Sequence, residues 1–153
     1  MYARIYACHL TKLAAPGSRV FFFSSSTTKF SGVPPNYVVY TATKGAVEQM
    51  TRVLAKDLGA KGINVNCIAP GPVDTELFRR GKPEQLINFF ANLHPQKRVP
   101  VPDEIAPIVA FLSRDEAGWI NGQTIFVNGV SAHHYACVTS IDPCAFRASL
   151  CNA

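Results

Sequence analysis

The chain of 153 residues is long enough for one domain with a buried core. It is apolar, with 48% hydrophobic and only 16% charged residues, and carries a net charge of +5 from scattered basic side chains. Scattered charge without a binding motif argues against nucleic acid, and no apolar run reaches the ~18 residues of a membrane-spanning helix. The composition fits a piece of a larger fold whose parallel strands are buried on both faces.

Turn residues and hydrophobic periodicity predict helices and strands that alternate along the chain. The predicted elements, in chain order, are a helix at 2–14, a strand at 19–24, a loop at 30–37, a helix at 38–59, a strand at 63–69, short helices at 74–80 and 83–93, a helix at 103–113 and a strand at 123–128. The strand at 19–24 is apolar and shows no alternation of polar and apolar residues, which is typical of a central parallel strand. Together these elements predict an α/β fold.

Further predictions concern single side chains and the end of the chain. The inward face of helix 38–59 is expected to consist of Val47, Met50, Val53, Leu54 and Leu58. Asp103 is expected to cap the helix at 103–113, with Glu104 in its first turn. Residues 131–153 lack clear periodicity, so we expect a folded domain at 1–130 and an appended, disordered tail.

Tyr40 and Lys44 are the most informative pair in the sequence. Because four residues make about one helical turn, the phenol and the ammonium lie on the same face of helix 38–59. The cation favours the phenolate, so this tyrosine could donate or accept a proton in catalysis. Since the same spacing is common on solvated helix faces, the surrounding sequence decides its meaning.

Three stretches surround this pair in a definite order. The strand at 19–24 leads into a run of serines at 24–26, the strand at 63–69 leads into Pro-Gly-Pro-Val-Asp-Thr at 70–75, and the last strand ends in Asn-Gly at 128–129. This order resembles the C-terminal part of a short-chain dehydrogenase/reductase, over about residues 14 to 130. The resemblance implies a Rossmann-like, doubly wound parallel sheet.

The resemblance also implies catalytic roles. Tyr40 would be the general acid/base that protonates the developing alkoxide of a carbonyl substrate, and Lys44 would support it and bind the nicotinamide ribose. A serine after the preceding strand would hold the carbonyl oxygen. Strand register favours Ser25 and the spacing back from Tyr40 favours Ser26, so both are candidates, with Ser25 preferred.

The loop at 70–75 resembles the family's loop beside the nicotinamide, which implies NADP or NAD as cofactor. Pro70 would fix the entry angle, and Gly71 would let the backbone approach the ligand closely. The Val73 backbone would bind the carboxamide, and Thr75 would help to hold the pyrophosphate. Residues 76–98 correspond to the variable substrate lid, whose apolar wall is expected to consist of Phe78, Leu86, Phe89 and Phe90.

The 153 residues also depart from the family pattern. No Gly-rich turn of the GxxxGxG or GxGxxG type occurs, so the N-terminal dinucleotide-binding half, about three βα units or ~90–100 residues, is expected to be lacking. The family's catalytic asparagine is expected upstream of Met1, and Pro100 stands where the family has glycine. An alternative function follows from these departures: an inactive fragment, or an oligomerisation piece that pairs with intact relatives.

The cysteines and histidines predict no metal site. The adjacent histidines at 133–134 lack partners, and none of the five cysteines has metal-ligand spacing: Cys8, Cys67, Cys137, Cys144 and Cys151. Their odd number, without a visible secretory signal, favours reduced thiols in the cytoplasm.

The resemblance implies a small-molecule carbonyl or alcohol substrate, and a homodimer or homotetramer that pairs the Tyr-Lys helix and the last strand.

Overall fold

A computed structural model describes residues 14–129 of the protein. The predicted helix at 2–14 and tail at 131–153 therefore lie outside the described residues, apart from Ala14. The strands and α-helices are β1 (Arg19–Phe23), α1 (Val38–Gly59), β2 (Asn64–Pro70), α2 (Glu76–Arg79), α3 (Glu84–Leu93), α4 (Ala106–Leu112) and β3 (Thr124–Val127). Short 3-10 helices lie at Ser26–Lys29, Pro35–Tyr37, Pro102–Glu104 and Asp115–Ala117.

The three described strands form one parallel sheet in the order β1-β2-β3. Arg19 pairs with Asn64 at one end of β1, and Cys67 of β2 pairs with Thr124 of β3. The central strand β2 is buried along its length except at its two half-buried ends, although Asn64 and Asn66 interrupt its apolar residues. The α/β prediction with a parallel sheet is confirmed.

Two apolar clusters cover opposite faces of β2, as in a doubly wound sheet. Val65 packs with Leu54 and Leu58 of α1 on one face. Ile68 packs with Leu112 of α4 on the other face. Because Val65 and Ile68 are an odd number of residues apart on a strand, their side chains point to opposite faces.

Helix α1 buries a different residue from the one predicted. Val53 is 58% exposed, so its predicted inward position is wrong, whereas Thr51 is fully buried. The Thr51 hydroxyl donates to the carbonyl oxygen of Val47, one turn earlier, at 2.9 Å. A threonine whose hydroxyl is satisfied within its own helix can take a core position that the apolar pattern assigned to valine.

The predicted cap of the helix at 103–113 is also wrong. Asp103 lies inside the 3-10 helix Pro102–Glu104, and the α-helix begins only at Ala106. A proline occupies the first turn of each of these segments, Pro102 in one and Pro107 in the other. Because proline lacks an N–H and favours the first helical turn, two short helices replace the single predicted one.

Asn66 joins the centre of the sheet to the turn that precedes β3. Its side chain is 1% exposed, donates to Ile120 O at 2.7 Å and accepts from Gln123 N at 3.0 Å. Asn121 makes the reciprocal link, because its side-chain oxygen accepts from Val65 N at 2.8 Å. These amides hold the approach to β3 in register with β2.

We predict that Asn66→Ala lowers the free energy of unfolding by about 1–3 kcal/mol, because the Gln123 N–H loses its partner inside the protein. The loss is not larger, since Ile120 O also accepts from Asn64 at 3.2 Å. Urea unfolding followed by circular dichroism measures the change. The exposed Asn36→Ala is the matched control and should leave stability unchanged; equal stability of both variants would contradict this role of Asn66.

An ion pair between Arg98 and Glu104 bridges the turn that follows α3. Both terminal nitrogens of Arg98 donate to the carboxylate at 2.6 Å, and Val101 N donates to it at 3.0 Å. The pKa of Glu104 is lowered from 4.5 to about 2, mainly by the hydrogen bonds from Arg98 and next by the Val101 N–H.

We predict that this pair makes stability depend on pH in the acid range. Because the pKa of Glu104 is lower in the folded state, its stabilisation is fully present above about pH 4.5 and is lost as the pH falls towards 2. Glu104→Gln should flatten this part of the stability curve, measured by urea unfolding between pH 6 and 3. Glu116→Gln, at an exposed position, is the control, and an unchanged curve in Glu104→Gln would contradict the prediction.

Candidate active site

The candidate site lies at the carboxyl edge of the sheet. Since β1 and β2 are parallel, the serine run after Phe23 and the loop after Pro70 emerge side by side. The N-terminal turns of α1 face the same edge. A pocket of about 380 Å³ lies between these segments and α2 and α3; it is lined by Ser25, Ser26, Thr27, Tyr37, Tyr40, Gly71, Pro72, Val73, Thr75, Leu77, Phe78, Lys82 and Phe90.

The structure brings six of the eight predicted site residues to this pocket: Ser25, Ser26, Tyr40, Gly71, Val73 and Thr75. Lys44 and Pro70 do not line it. Lys44 stands behind Tyr40 on α1, and Pro70 is the last residue of β2, paired with Val127. The pocket thus combines hydroxyl groups of three segments with an apolar wall.

Tyr40 and Lys44 lie on one face of α1, as predicted. The Lys44 ammonium is 5.6 Å from the centroid of the Tyr40 ring and donates to the Phe23 carbonyl oxygen at 2.9 Å. Tyr40 is 43% exposed, so its hydroxyl is accessible to a small molecule. The strand end therefore holds a fixed cation beside an accessible phenol.

Tyr37 is a pocket residue that the sequence reasoning missed. Its ring meets that of Tyr40 edge to face, with centroids 5.9 Å apart and planes at 87°. An aromatic residue three positions before Tyr40 was the available signal, because positions i and i+3 are neighbours on a helical surface. Tyr37 supplies a second phenol to the same pocket.

Ser24, the first serine of the run, has a structural role. It is buried, and its hydroxyl donates to Glu48 Oε1 at 2.7 Å. Thr28 donates to the same carboxylate oxygen at 2.7 Å. Glu48 thus connects α1 to the segment that carries the two remaining serines. The sequence reasoning missed it, although it follows Lys44 by one helical turn and lies on the same face.

Ser25 and Ser26 both line the pocket, and they differ in exposure. Ser26 is only 6% exposed, whereas Ser25 is half-buried. Ser25 is the N-cap of the 3-10 helix Ser26–Lys29, and its hydroxyl oxygen accepts from Thr27 N at 3.3 Å. As an acceptor in that bond, the Ser25 hydroxyl retains its own proton for donation.

The loop after β2 is anchored at both ends. Gly71 N donates to Val127 O at 3.2 Å, which extends the pairing of β2 with β3. Thr75 is the N-cap of α2, since its hydroxyl oxygen accepts from Phe78 N at 3.1 Å. Between these anchors, Val73 lines both the pocket described above and a second one.

This second pocket, of about 590 Å³, is almost wholly apolar. Val73 and Thr75 separate it from the first, and its other walls include Phe23 at the end of β1 and Val109 of α4. Phe23 is 52% exposed. The two cavities therefore adjoin across the loop at 73–75.

Two of the four side chains expected in the apolar wall of the segment at 76–98 line the first pocket. Phe78 and Phe90 line the first pocket, with ring centroids 5.6 Å apart. Phe89 and Leu86 are exposed and do not line it. On α3 the residues one position apart face different directions, so only part of an apolar run reaches the pocket.

Residues 14–129 contain no group of three or more His, Cys, Asp or Glu side chains placed to hold a metal ion. The helices in that range include none long and apolar enough to cross a membrane. Cys67 is a free thiol in the middle of β2, and its burial raises its pKa.

Comparison with known proteins identifies a family. A family model described as enoyl-(acyl carrier protein) reductase matches residues 3–129. A short-chain type dehydrogenase/reductase of Picea abies is 44% identical over 114 residues, which cover 74% of this chain and 41% of the relative. An NADPH-dependent aldehyde reductase-like protein of Arabidopsis thaliana, named as chloroplastic, is 42% identical over 113 residues with the same coverage.

Solved structures show the same fold. The angucycline C-6 ketoreductase LanV with bound NADP has a TM-score of 0.73 and 30% identity, over 84% of this chain and 49% of that protein. A short-chain dehydrogenase/reductase from Serratia marcescens has a TM-score of 0.74 and 28% identity, over 85% and 52%. The chain spans about two fifths of the length of the curated relatives cited above.

Proposed function

The chain belongs to the short-chain dehydrogenase/reductase family, a family of oxidoreductases, and from that premise we propose that it carries the proton-transfer half of an NAD(P)-dependent carbonyl reductase. One observation carries the proposal. An accessible phenol, Tyr40, and a serine hydroxyl share one pocket, and the Lys44 cation is held behind the phenol by the Phe23 carbonyl.

The proposed chemistry assigns one task to each group. When bound, the nicotinamide cofactor supplies the hydride. Tyr40 donates its phenolic proton to the substrate oxygen on which negative charge develops, and Ser25 donates a hydrogen bond to that oxygen. The Lys44 ammonium, held by the Phe23 carbonyl, is assigned to keep a cation beside the phenol. In the reverse direction Tyr40 would accept the hydroxyl proton of an alcohol, and the hydride would pass from its carbon to the oxidised cofactor.

The residues present fit the nicotinamide end of NADP or NAD. Val73 and Thr75 lie between the two adjoining pockets, so a flat ring held by the Val73 backbone would border the pocket of Tyr40. Thr75 retains its hydroxyl proton for a phosphate oxygen while it caps α2. The names of the Arabidopsis relative and of LanV favour NADP. We assign the reaction to an assembly of this chain with a dinucleotide-binding half.

A second candidate function is an oligomerisation piece without catalysis. Three valines of α1 are largely exposed: Val38, Val39 and Val53. Within the described sheet, β1 is an edge strand whose far side is unpaired. These surfaces support pairing through α1 with a second copy or an intact relative. A small-molecule carbonyl or alcohol, rather than nucleic acid, remains the proposed ligand, and the cytoplasm remains the predicted compartment.

We predict that, in the assembly with a dinucleotide-binding half, Tyr40→Phe lowers kcat for reduction of an aromatic ketone by NADPH at least about 100-fold, because the proton donor is removed. NADPH oxidation at 340 nm measures turnover, and cofactor fluorescence measures NADPH binding, which should be unchanged. Tyr37→Phe is the matched control, since it removes a hydroxyl from the same pocket. Full turnover by Tyr40→Phe would refute the assignment, and a folded chain that binds neither NADPH nor NADH would favour the second function.

We also predict that Ser25→Ala lowers kcat by about 100-fold and Ser26→Ala by much less, because Ser25 is the less buried of the two and retains its proton. Ser25→Thr, which restores a hydroxyl, should recover part of the rate. The reverse order of the two alanine variants would transfer the role to Ser26.

A further inference from the structure

The first pocket contains one cationic side chain and no acidic one. Its wall combines hydroxyl groups, apolar side chains and four aromatic rings with the ammonium of Lys82. Neighbouring cations are neutralised: Arg79 is paired with Asp74 through two hydrogen bonds of 2.5 and 2.8 Å, and Arg80 lies 3.4 Å from Glu76. None of the ion pairs within residues 14–129 includes Lys82. The pocket therefore has a net positive field.

The Lys82 ammonium is held in place by the helix that precedes it. It donates to Phe78 O at 2.5 Å and lies 4.9 Å from the centroid of the Phe78 ring. Gly81, with φ of +70°, makes the turn that brings Lys82 back over α2. An ammonium has three N–H donors, and Phe78 O is its one hydrogen-bond partner among the described residues. Two donors are thus left for a ligand.

We propose that Lys82 makes this pocket select carbonyl substrates that carry a carboxylate or similar anionic group on an aromatic body. This inference about Lys82 rests on the proposed function, because the same substrate must present its carbonyl to Tyr40. Phe78 and Phe90 supply the surface for the aromatic body, and Lys82 supplies the charge-assisted hydrogen bond for the anion. A neutral ketone of the same shape would leave this cation without a partner.

The position of Lys82 favours a substrate anion over a cofactor phosphate. Lys82 lines the first pocket, together with Phe78 and Phe90, and does not line the second pocket. The residues proposed to hold the cofactor, Val73 and Thr75, lie where the two pockets meet. A phosphate is nevertheless an anion, so the experiment includes NADPH as a separate ligand.

The test measures dissociation constants of matched ketones for the 153-residue chain by ligand-observed NMR. The probes are 3- and 4-acetylbenzoate, each compared with its neutral amide of the same shape. The charged member should bind about five- to ten-fold tighter than its amide, as expected for one charge-assisted hydrogen bond. Lys82→Met should reduce this ratio to about one, and Lys82→Arg should preserve it. Lys56→Met, an equal change of charge about 24 Å along α1 from Tyr40, should also preserve it.

The outcomes separate this inference from the proposed reaction. A preference for the carboxylate that disappears in Lys82→Met supports the inference even when the assembly with a dinucleotide-binding half reduces neither ketone, a result that would contradict the reaction. Reduction of both members with equal affinity would support the reaction and overturn the inference. The inference is also overturned when neither ketone binds or when Lys82→Met keeps the preference for the carboxylate. It is overturned as well when Lys82→Met weakens the binding of NADPH and of neither ketone.

Discussion

The parallel pairing of β1 with β2 is the constraint on which the site depends. Parallel strands place their carboxyl ends at the same edge, so the segments after Phe23 and Pro70 must leave the sheet side by side. An antiparallel pair would send the serine run and the 70–75 loop to opposite edges. Because β2 is buried on both faces, with α1 on one and α4 on the other, this pairing is supported by the whole core.

The helix that carries the phenol is attached to the strand end through two polar links. Lys44 donates to the carbonyl of Phe23, and Glu48 accepts from Ser24 and Thr28. Each bond joins a residue of α1 to a residue in or beside the serine segment, about twenty positions earlier in the chain. Lys44 therefore fixes the position of α1 against β1, so a substitution at this lysine removes a structural link as well as the cation beside the Tyr40 ring.

The order of elements could be predicted because each has a local signal. The apolar run of β1, the mainly apolar residues of β2, the long helical pattern of α1 and the glycines after it all appear in the sequence. The misassigned residues depend on bonds that local patterns do not show. Thr51 is buried because its hydroxyl is satisfied by Val47, and Asp103 does not cap a helix because two prolines divide the segment. Hydrophobicity alone assigns neither position.

The site was predictable to the extent that it follows a family motif. Tyr40, Ser25, Ser26 and the 70–75 loop were predicted through residue order, whereas Glu48 and Lys82 were not, since the partners of Glu48 are distant in the chain and Lys82 lies in the segment at 76–98. Tyr37 was also missed, although its spacing from Tyr40 was a local signal. Among the described residues, the hydrogen bonds and strand pairings that position α1 against the serine segment and the 70–75 loop join residues between Arg19 and Val127. The arrangement of the pocket around Tyr40 is therefore set within this stretch, and the proposed function assigns to it the proton transfer alone. A chain with two fifths of its relatives' length thus contains the whole of the pocket on which that proposal rests.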